Sequence, residues 1–283
     1  MDRSVVAAPG AFNALVARAV RRAGFDAAYV SGGALSVAGG VPDVGILSLD
    51  HFARVVREVA TGSGLPVIAD ADTGFGEEEM VRRTVLEYNH AGAAGLHLED
   101  QVFPKRCGHL DGKALVPTEQ MVSKIRWAAK ASQDCSDGNF IICARTDAKG
   151  VEGFDSAVER ARAYVDAGAT MIFPEGLHSE DEFKRFADAM KSMGSNAPYM
   201  LANMTEFGKT PMISLDRFGE LGYQLVIFPV STLRIAMGAI DRGLNELKAK
   251  GTLEGQLDTM QSRKDLYELM DYTPGTPWEI PAR

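Results

Sequence analysis

The chain has 283 residues and a formal net charge of −8 at pH 7. Its hydrophobic fraction of 46% and charged fraction of 24% are ordinary for a globular protein, and its acidity argues against a general nucleic-acid binder. Three scattered cysteines make neither a disulfide framework nor a zinc site, which suits a reducing compartment. There is no signal-peptide pattern and no apolar stretch long enough for a bilayer. We therefore expect a cytoplasmic protein with no membrane or nucleic-acid partner.

Short β-rich runs alternate with longer amphipathic helical patterns along the chain. This alternation predicts βα units and a parallel sheet. Several of the runs are apolar until their last one or two residues, as in strands buried on both faces. The eight predicted strands are Val5–Ala8, Ala27–Ser31, Pro66–Asp72, Gly95–Glu99, Phe140–Arg145, Met171–Glu175, Tyr199–Met204 and Leu225–Val230.

Eight βα units in one chain fit a (β/α)₈ barrel of the TIM type better than an open sheet. No Gly-x-Gly-x-x-Gly pattern opens the first crossover, so a dinucleotide-binding fold loses its main support. The pairs Ala23-Gly24, Ala91-Gly92 and Ala167-Gly168 mark helix ends just before the next strand. We predict a single α/β barrel domain over residues 1–283, including a C-terminal helical extension and an extended tail over 273–283.

The segment from Phe103 to His109 contains the most informative cysteine. Lys105 and Arg106 directly precede Cys107, and Gly108 and His109 follow it. Cations and a protonated imidazole lower a thiol's pKa, and a glycine lets the backbone come close to a ligand. The alternative is a buried structural cysteine, but the polar, turn-forming neighbours argue against it. We predict a reactive or proton-donating Cys107.

Polar residues end almost every predicted strand. In a (β/α)₈ barrel the active site is built at the carboxyl ends of the strands, so these residues indicate one site. They are Ser31, Gly32, Gly33, Asp70, Asp72, His97, Glu99, Arg145, Asp147, Glu175, Asn203 and, a little further on, Arg234.

Three of these residues predict a magnesium site. Asp70 and Asp72 alternate along one strand, so both carboxylates are expected on the same side, beside Glu99 of the next strand. Mg²⁺ prefers oxygen ligands and keeps several waters, taking one or two protein carboxylates. The alternative is a pair of turn aspartates. His97 is either a partner of the metal ligands or a satisfied core histidine.

Two further strand ends predict an anion site. Ser31-Gly32-Gly33 offers backbone N–H groups as it leaves a strand, although such residues often form only a turn. Arg145 has the geometry to hold a carboxylate through two parallel hydrogen bonds, unless it pairs with Asp147 or Glu175. The residues together describe a Mg²⁺ site that binds a polycarboxylate beside a cysteine.

The segment 105–109 resembles the signature of the isocitrate lyase and phosphoenolpyruvate mutase superfamily, in the form that its carbon–carbon lyases carry. Four further segments resemble family motifs in family order: Asp70–Gly76, His97–Gln101, Ala144–Ala148 and Ile172–Glu175. Asn203–Pro211 and Met260–Tyr267 are most similar to the 2-methylisocitrate lyase branch. The serine-rich segment that follows the asparagine in the much longer isocitrate lyases is missing.

The resemblance implies cleavage of 2-methylisocitrate to pyruvate and succinate in the methylcitrate cycle of propionate catabolism. It implies that Mg²⁺ is held by Asp70 and Asp72, with Glu99 in the outer shell. Ser31, Gly32 and Gly33 would hold the pyruvate carboxylate, and Arg145 would span both product halves. The succinate half would be surrounded by Gly108, His109, Glu175, Asn203 and Thr205, with Arg234 and Arg263 completing the anion site.

The same resemblance assigns the proton transfers. Cys107 would protonate the succinate carbanion as the carbon–carbon bond breaks, and Lys105 would help keep its pKa near working pH. We expect Tyr29, on the same strand face as Ser31, to remove the C2 hydroxyl proton. His109 and Arg145 complete the expected catalytic set.

Other interpretations remain open at this point. A sibling lyase acting on 2,3-dimethylmalate or isocitrate would use the same machinery, and Leu110 offers no charge to a third carboxylate. An oxaloacetate decarboxylase or a phosphonate-forming mutase generally lacks the Cys-Gly-His loop, and a non-catalytic scaffold would not need these acids. The resemblance also implies a homo-oligomer, a dimer of dimers with exchanged C-terminal helices, although the apolar stretch Leu233–Leu247 alone fits several packings.

Overall fold

The computed structural model describes residues 5–106 and 112–279, which form eight strands and ten α-helices. All eight predicted strands are present, with limits within two residues of those expected. They are β1 Val6–Pro9, β2 Ala28–Val30, β3 Val67–Asp70, β4 Gly95–Glu99, β5 Ile141–Thr146, β6 Met171–Pro174, β7 Tyr199–Asn203 and β8 Leu225–Phe228.

The helices follow the strands in the alternation that the sequence predicts. They are α1 Ala14–Arg22, α2 Gly32–Ala38, α3 Leu49–Ser63, α4 Glu78–Ala91, α5 Thr118–Ser136, α6 Phe154–Asp166, α7 Glu180–Lys191, α8 Leu215–Leu221, α9 Ser231–Lys250 and α10 Arg263–Leu269. The predicted Ala-Gly helix ends are confirmed, since Ala23, Gly92 and Ala167 are the C-cap residues of α1, α4 and α6. Gly92 has φ 89°, a left-handed conformation that suits glycine.

The strands are parallel and form one sheet in the order β1-β8-β7-β6-β5-β4-β3-β2. The sheet curls round so that β1 meets β2 through a single parallel bridge, Gly10 to Tyr29. The predicted (β/α)₈ barrel is therefore confirmed. The register places Asp70 beside His97, and Glu99 beside Arg145, so charged side chains of neighbouring strands share one level of the barrel.

Strand residues alternate between two separate apolar layers, because successive side chains point to opposite faces. One layer fills the barrel interior and contains Tyr29, Ile68, Cys143, Met171, Phe173, Leu201, Leu225 and Ile227. The other lies between strands and helices and includes Val30, Val67, Leu96, Ile142, Ile172 and Val226. Asp70 follows Ile68 by two residues, and Arg145 follows Cys143 by two. Their side chains therefore also point into the barrel, at the carboxyl ends of the strands.

The C-terminal part differs from the compact barrel. In α9 only Leu233 is buried, and α10 contacts α1. In the described part of the tail, the Thr276 N–H donates to the Thr273 carbonyl and the Trp278 indole N–H donates to the Met270 carbonyl. The tail thus contains a local turn, and the Trp278 hydrogen bond ties it back to the end of α10. Within the described residues no helix combines the length and apolarity needed to cross a membrane.

Candidate active site

A cavity of about 160 Å³ opens at the carboxyl ends of the strands. Most of the predicted site residues that the structure describes lie around it: Tyr29, Ser31, Gly33, Asp70, Arg145, Glu175, Asn203, Thr205 and Arg234. Asp43, Glu206 and Phe207 also line it and were not predicted. Cys107, Gly108 and His109 lie outside the described residues. The barrel thus brings residues from six strands and their following loops to one place.

Asp70 and Asp72 meet over Gly32, but not in the way the sequence predicts. The strand ends at Asp70, and Asp72 lies in the following turn with φ 45°, so strand alternation does not orient its side chain. The turn is held by the Asp72 N–H, which donates to Asp70 Oδ1 at 3.0 Å. A Cβ on Gly32 would lie 2.8 Å from Asp70 Oδ2 and 3.2 Å from Asp72 Oδ1. A side chain at position 32 would therefore require the Asp70 carboxylate to move.

The Ser31-Gly32-Gly33 segment forms the start of helix α2. Ser31 caps α2, accepting the Ala34 N–H on its side-chain oxygen. The Gly32 N–H donates to Asp70 Oδ2 at 3.0 Å. This backbone donor is therefore engaged by a protein carboxylate in this structure, while Ser31 and Gly33 line the cavity.

Tyr29 and His97 form a buried pair at the floor of the cavity. The Tyr29 hydroxyl lies 2.7 Å from His97 Nε2, and His97 Nδ1 lies 3.7 Å from Asp70 Oδ1. Burial lowers the pKa of His97 to about 4, so the ring is neutral near pH 7. Burial, followed by the charge of Asp70, raises the pKa of Tyr29 well above 10. The phenol therefore keeps its proton in this arrangement.

Lys105 places its ammonium among the acids. Its Nζ lies 2.5 Å from Asp43 Oδ1 and 2.9 Å from Asp72 Oδ1, and the side chain is buried. Burial works to lower the pKa of Lys105, but the charges of Glu99 and Asp72 raise it above its usual value. Lys105 is thus a fixed cation of the acid cluster. The expectation that it tunes Cys107 remains a prediction.

Arg145 is held by two buried carboxylates. Its Nε and Nη2 donate to the two Asp147 oxygens at 2.9 and 3.2 Å, and Nη1 lies 3.2 Å from Glu99 Oε2. Burial opposes ionisation of Asp147, yet Arg145 and Lys113 lower its pKa to about 2. The pairing with Asp147 that the sequence left open is therefore present. Asp147 accepts the two parallel hydrogen bonds that we predicted Arg145 would donate to a substrate carboxylate.

The acid cluster fits a magnesium ion. Both Glu99 oxygens are buried without a hydrogen bond, with Arg145 Nη1 3.2 Å from Oε2, and the buried Asp72 Oδ1 contacts Lys105 Nζ at 2.9 Å. Burial, and then repulsion from Asp70, raises the pKa of Asp72 to about 6, and burial raises that of Glu99. The described residues contain no cluster of three or more His, Cys, Asp or Glu ready to hold a metal. Mg²⁺ needs only one or two protein carboxylates, so this oxygen-rich pair suits it.

The remaining predicted residues divide into two groups. Asn203 donates its amide to Glu175 Oε2 at 3.2 Å, and Arg234 Nη1 lies 3.3 Å from Thr205 Oγ1, so these four line one side of the cavity. Arg263, in contrast, is exposed at the start of α10, which contacts α1, and it does not line the cavity. In the single chain Arg263 thus lies away from the cavity, and its place in the anion site stays a prediction.

A larger cavity of about 720 Å³ lies outside the strand rim, along the starts of α3, α4 and α5. It touches Asp72 but is lined mainly by loop and helix residues such as Leu47, Phe75, Met80 and Phe103. Size therefore does not mark the reactive centre. The smaller cavity contains the convergent charged groups, which are the feature that chemistry requires.

The fold and this charged cavity define a (β/α)₈ enzyme with a site for anionic ligands. A family model described as phosphoenolpyruvate phosphomutase matches residues 2–248. The chain is 53% identical to a probable 2-methylisocitrate lyase of Corynebacterium glutamicum, over 93% of this chain and 84% of the relative. It is 49% identical to the 2-methylisocitrate lyase of Aeropyrum pernix, over 95% and 84%. The chain belongs to the phosphoenolpyruvate mutase and isocitrate lyase superfamily and is a lyase.

Solved structures agree with this assignment. An oxaloacetate acetylhydrolase with bound 3,3-difluorooxaloacetate has a TM-score of 0.88 at 33% identity, covering 95% of this chain and 89% of that one. A 2,3-dimethylmalate lyase has a TM-score of 0.86 at 36% identity, covering 95% and 87%. A phosphonopyruvate hydrolase complex with oxalate and Mg²⁺ has a TM-score of 0.82 at 30% identity, covering 94% and 90%.

Proposed function

We propose that this lyase cleaves 2-methylisocitrate to pyruvate and succinate with Mg²⁺, as a step of propionate catabolism in the methylcitrate cycle. The observation that carries the proposal is that Asp70 and Arg145 line one cavity at the strand ends, with Asp72 next to Asp70 across Gly32. The names of the most similar relatives support the substrate, and the Mg²⁺ complex of a similar hydrolase supports the metal. The whole chain, residues 1–283, would act as one barrel domain.

Bound Mg²⁺ would supply Lewis acidity for a retro-aldol-type cleavage, held by Asp70 and Asp72 with Glu99 in the outer shell. Ser31 and Gly33 line the pyruvate side, and Gly32 spaces the two aspartates. Arg145, fixed by Asp147, offers its remaining edge to the substrate as a stationary positive charge. Donors that are already oriented stabilise developing charge without reorganisation.

Proton transfer falls to the remaining residues of this proposal. Cys107 would donate a proton to the carbon of the succinate fragment, which Gly108, His109, Glu175, Asn203 and Thr205 would surround. Tyr29 accepts the hydroxyl proton while its own proton passes to His97 Nε2, 2.7 Å away. A transfer in which both protons move together avoids a free phenolate, which the raised pKa of Tyr29 disfavours.

A second candidate is 2,3-dimethylmalate cleavage, which the similarity to the solved 2,3-dimethylmalate lyase favours. A steady-state comparison of 2-methylisocitrate, isocitrate and 2,3-dimethylmalate with Mg²⁺, following pyruvate or glyoxylate, separates the two. We expect kcat/KM to be highest for 2-methylisocitrate. A preference for either other substrate would overturn the proposal.

We also propose that the protein is a homo-oligomer, a dimer of dimers that exchanges its C-terminal helices. Ile240, Leu244 and Leu247 are exposed and share one face of α9 at helical spacing. A contiguous exposed apolar face usually marks an interaction site. Exchange would also change the surroundings of α10 and therefore of Arg263.

A further inference from the structure

The half-buried Glu206 pairs with Arg234, the more exposed arginine of the cavity. It follows β7, and its carboxylate accepts hydrogen bonds from the Ser231 hydroxyl and from Arg234 Nη1, the latter at 3.1 Å. Arg234 Nη1 also donates to the Glu206 main-chain carbonyl. Burial opposes its ionisation, but the bonds from Ser231 and Arg234 keep the pKa of Glu206 below its usual value. Glu206 is therefore an anion bound by its own chain.

The donors that bind Glu206 belong to the first turn of α9. The residue at the helix N-cap, Val230, supplies no side-chain cap, so the Glu206 carboxylate provides the negative charge there. Negative charge at a helix N-terminus is favourable, and a neighbouring guanidinium adds to the attraction. Ser231 and Arg234 thus form an anion-binding pair, and Glu206 fills it in this structure.

This pair is more easily exchanged than the ion pairs deeper in the cavity. The side chains of Arg234 and Glu206 are 42% and 29% exposed, whereas Arg145 and Asp147 are 9% and 0% exposed. Exposed ion pairs contribute little free energy, so an incoming carboxylate can replace one partner. Both Glu206 and Arg234 line the cavity, and Arg234 lies beside Thr205 on the proposed succinate side.

We infer that Glu206 is a specificity-determining residue, whose carboxylate occupies the place on Ser231 and Arg234 where the third carboxylate of a tricarboxylate substrate binds. A tricarboxylate must displace Glu206, whereas a dicarboxylate leaves the Glu206–Arg234 pair intact. Glu206 therefore sets the relative affinity for the two substrate classes. The inference deepens the proposed function and rests on it.

The test compares two product-like probes on the full-length enzyme with Mg²⁺ and pyruvate. Succinate carries the additional carboxylate and propionate lacks it. In Glu206→Gln we expect calorimetry to show succinate binding roughly threefold to tenfold tighter and propionate binding unchanged, the size expected when one exposed charge stops competing. Equal tightening of both probes, or no change in either, would overturn the inference.

Two further variants keep the result interpretable. Glu220→Gln removes a glutamate paired to Arg217 at 2.6 Å on the exposed side of α8, and it should change neither affinity. Arg234→Met should weaken the binding of succinate and leave the binding of propionate unchanged. This variant tests the proposed carboxylate site if Glu206→Gln does not fold. A loss of affinity for both probes in Arg234→Met would contradict the assignment.

The proposed function and this inference fail in different ways. If the wild-type enzyme cleaves neither 2-methylisocitrate nor 2,3-dimethylmalate, the proposed function falls, whatever the calorimetry shows. If it cleaves 2-methylisocitrate, Glu206→Gln should lower KM for this substrate and leave KM for 2,3-dimethylmalate unchanged. An equal change of both KM values would assign Glu206 a purely structural role.

Discussion

The two arginines of the cavity, Arg145 and Arg234, are both held by carboxylates but in different surroundings. Arg145 is buried between Asp147 and Glu99, in the same wall as Asp70 and Lys105. Arg234 lies at the rim, where water reaches it and Glu206. Breaking a buried pair leaves an uncompensated charge, whereas breaking an exposed pair costs little. We call the buried charged group around Arg145, with Asp70, Asp72, His97 and Lys105, the deep wall, and the exposed pair of Arg234 and Glu206 the rim. The charges of the deep wall are therefore fixed in place, whereas those of the rim can exchange partners.

Asp72→Asn tests the deep wall where the expected effect is largest. It removes one proposed metal carboxylate and leaves Lys105 with Asp43 as its close partner. We expect kcat/KM to fall roughly 10³-fold or more, since the Lewis-acid contribution is several kcal/mol. Thermal melting with and without Mg²⁺ checks the cause. A stabilisation by Mg²⁺ that persists in the variant would contradict the metal assignment.

Asp147→Asn tests whether burial makes the Arg145 pair rigid. The change removes one buried countercharge from Arg145 and Lys113, because both contact the Asp147 carboxylate. We expect a loss of about 3–5 kcal/mol in the free energy of unfolding, measured by urea denaturation. Glu152→Gln is the matched control, since Glu152 also binds an arginine, Arg160, through two bonds but is partly exposed. A larger loss in the control would invalidate the comparison.

His97 makes the stability of the deep wall depend on pH. Its pKa is lowered from 6.5 to about 4 by burial, so between these values the unfolded chain binds a proton that the folded chain does not. Stability should therefore fall as pH drops from 6.5 to 4, by on the order of 2–3 kcal/mol. His97→Gln should flatten this slope in urea denaturation with EDTA, and His90→Gln, at an exposed position of α4, should not. An unchanged slope in His97→Gln would count against a neutral buried imidazole.

Phe207→Ala tests the rim and should have the smallest effect. The ring is 95% exposed, and its described contact is with the Arg234 guanidinium, 5.3 Å from the ring centroid. An exposed cation–π contact contributes about 0.5–1 kcal/mol, so KM should change less than about fivefold. The melting temperature should stay the same. A large loss of stability would show that the rim is not separate from the packed core.

Much of this arrangement was predictable from the sequence. Period-two alternation and apolar strand bodies locate the strands, and parallel strands must bring Asp70, Glu99 and Arg145 to one rim. Asp43 was not predictable, because it lies in a loop with no periodic pattern and becomes relevant only through Lys105. The turn at Asp72 was only the alternative interpretation, because two aspartates at spacing two fit a strand equally well.

The sequence alone could not predict where Arg263 lies, for a different reason. Motif similarity places it in the site, but its location depends on where α10 packs, and that is decided by contacts distant along the chain. The pairing of Glu206 with Arg234 is of the same kind, since 28 residues separate the partners. Local patterns predict elements and their ends, whereas pairings across the rim need the fold.

The closure of the barrel has a consequence for local opening. Every other neighbouring strand pair is held by a ladder of bonds, whereas among the described residues β1 and β2 share the single bridge from Gly10 to Tyr29. Amide hydrogen exchange depends on how easily such bonds separate. The Ala11 amide, which donates to the Tyr29 carbonyl across this seam, should therefore exchange with solvent deuterium sooner than the equally buried Ile172 amide within the sheet. Since Tyr29 and Ser31 line the cavity from this edge, a ligand that bridges them to the opposite wall should slow exchange at the seam.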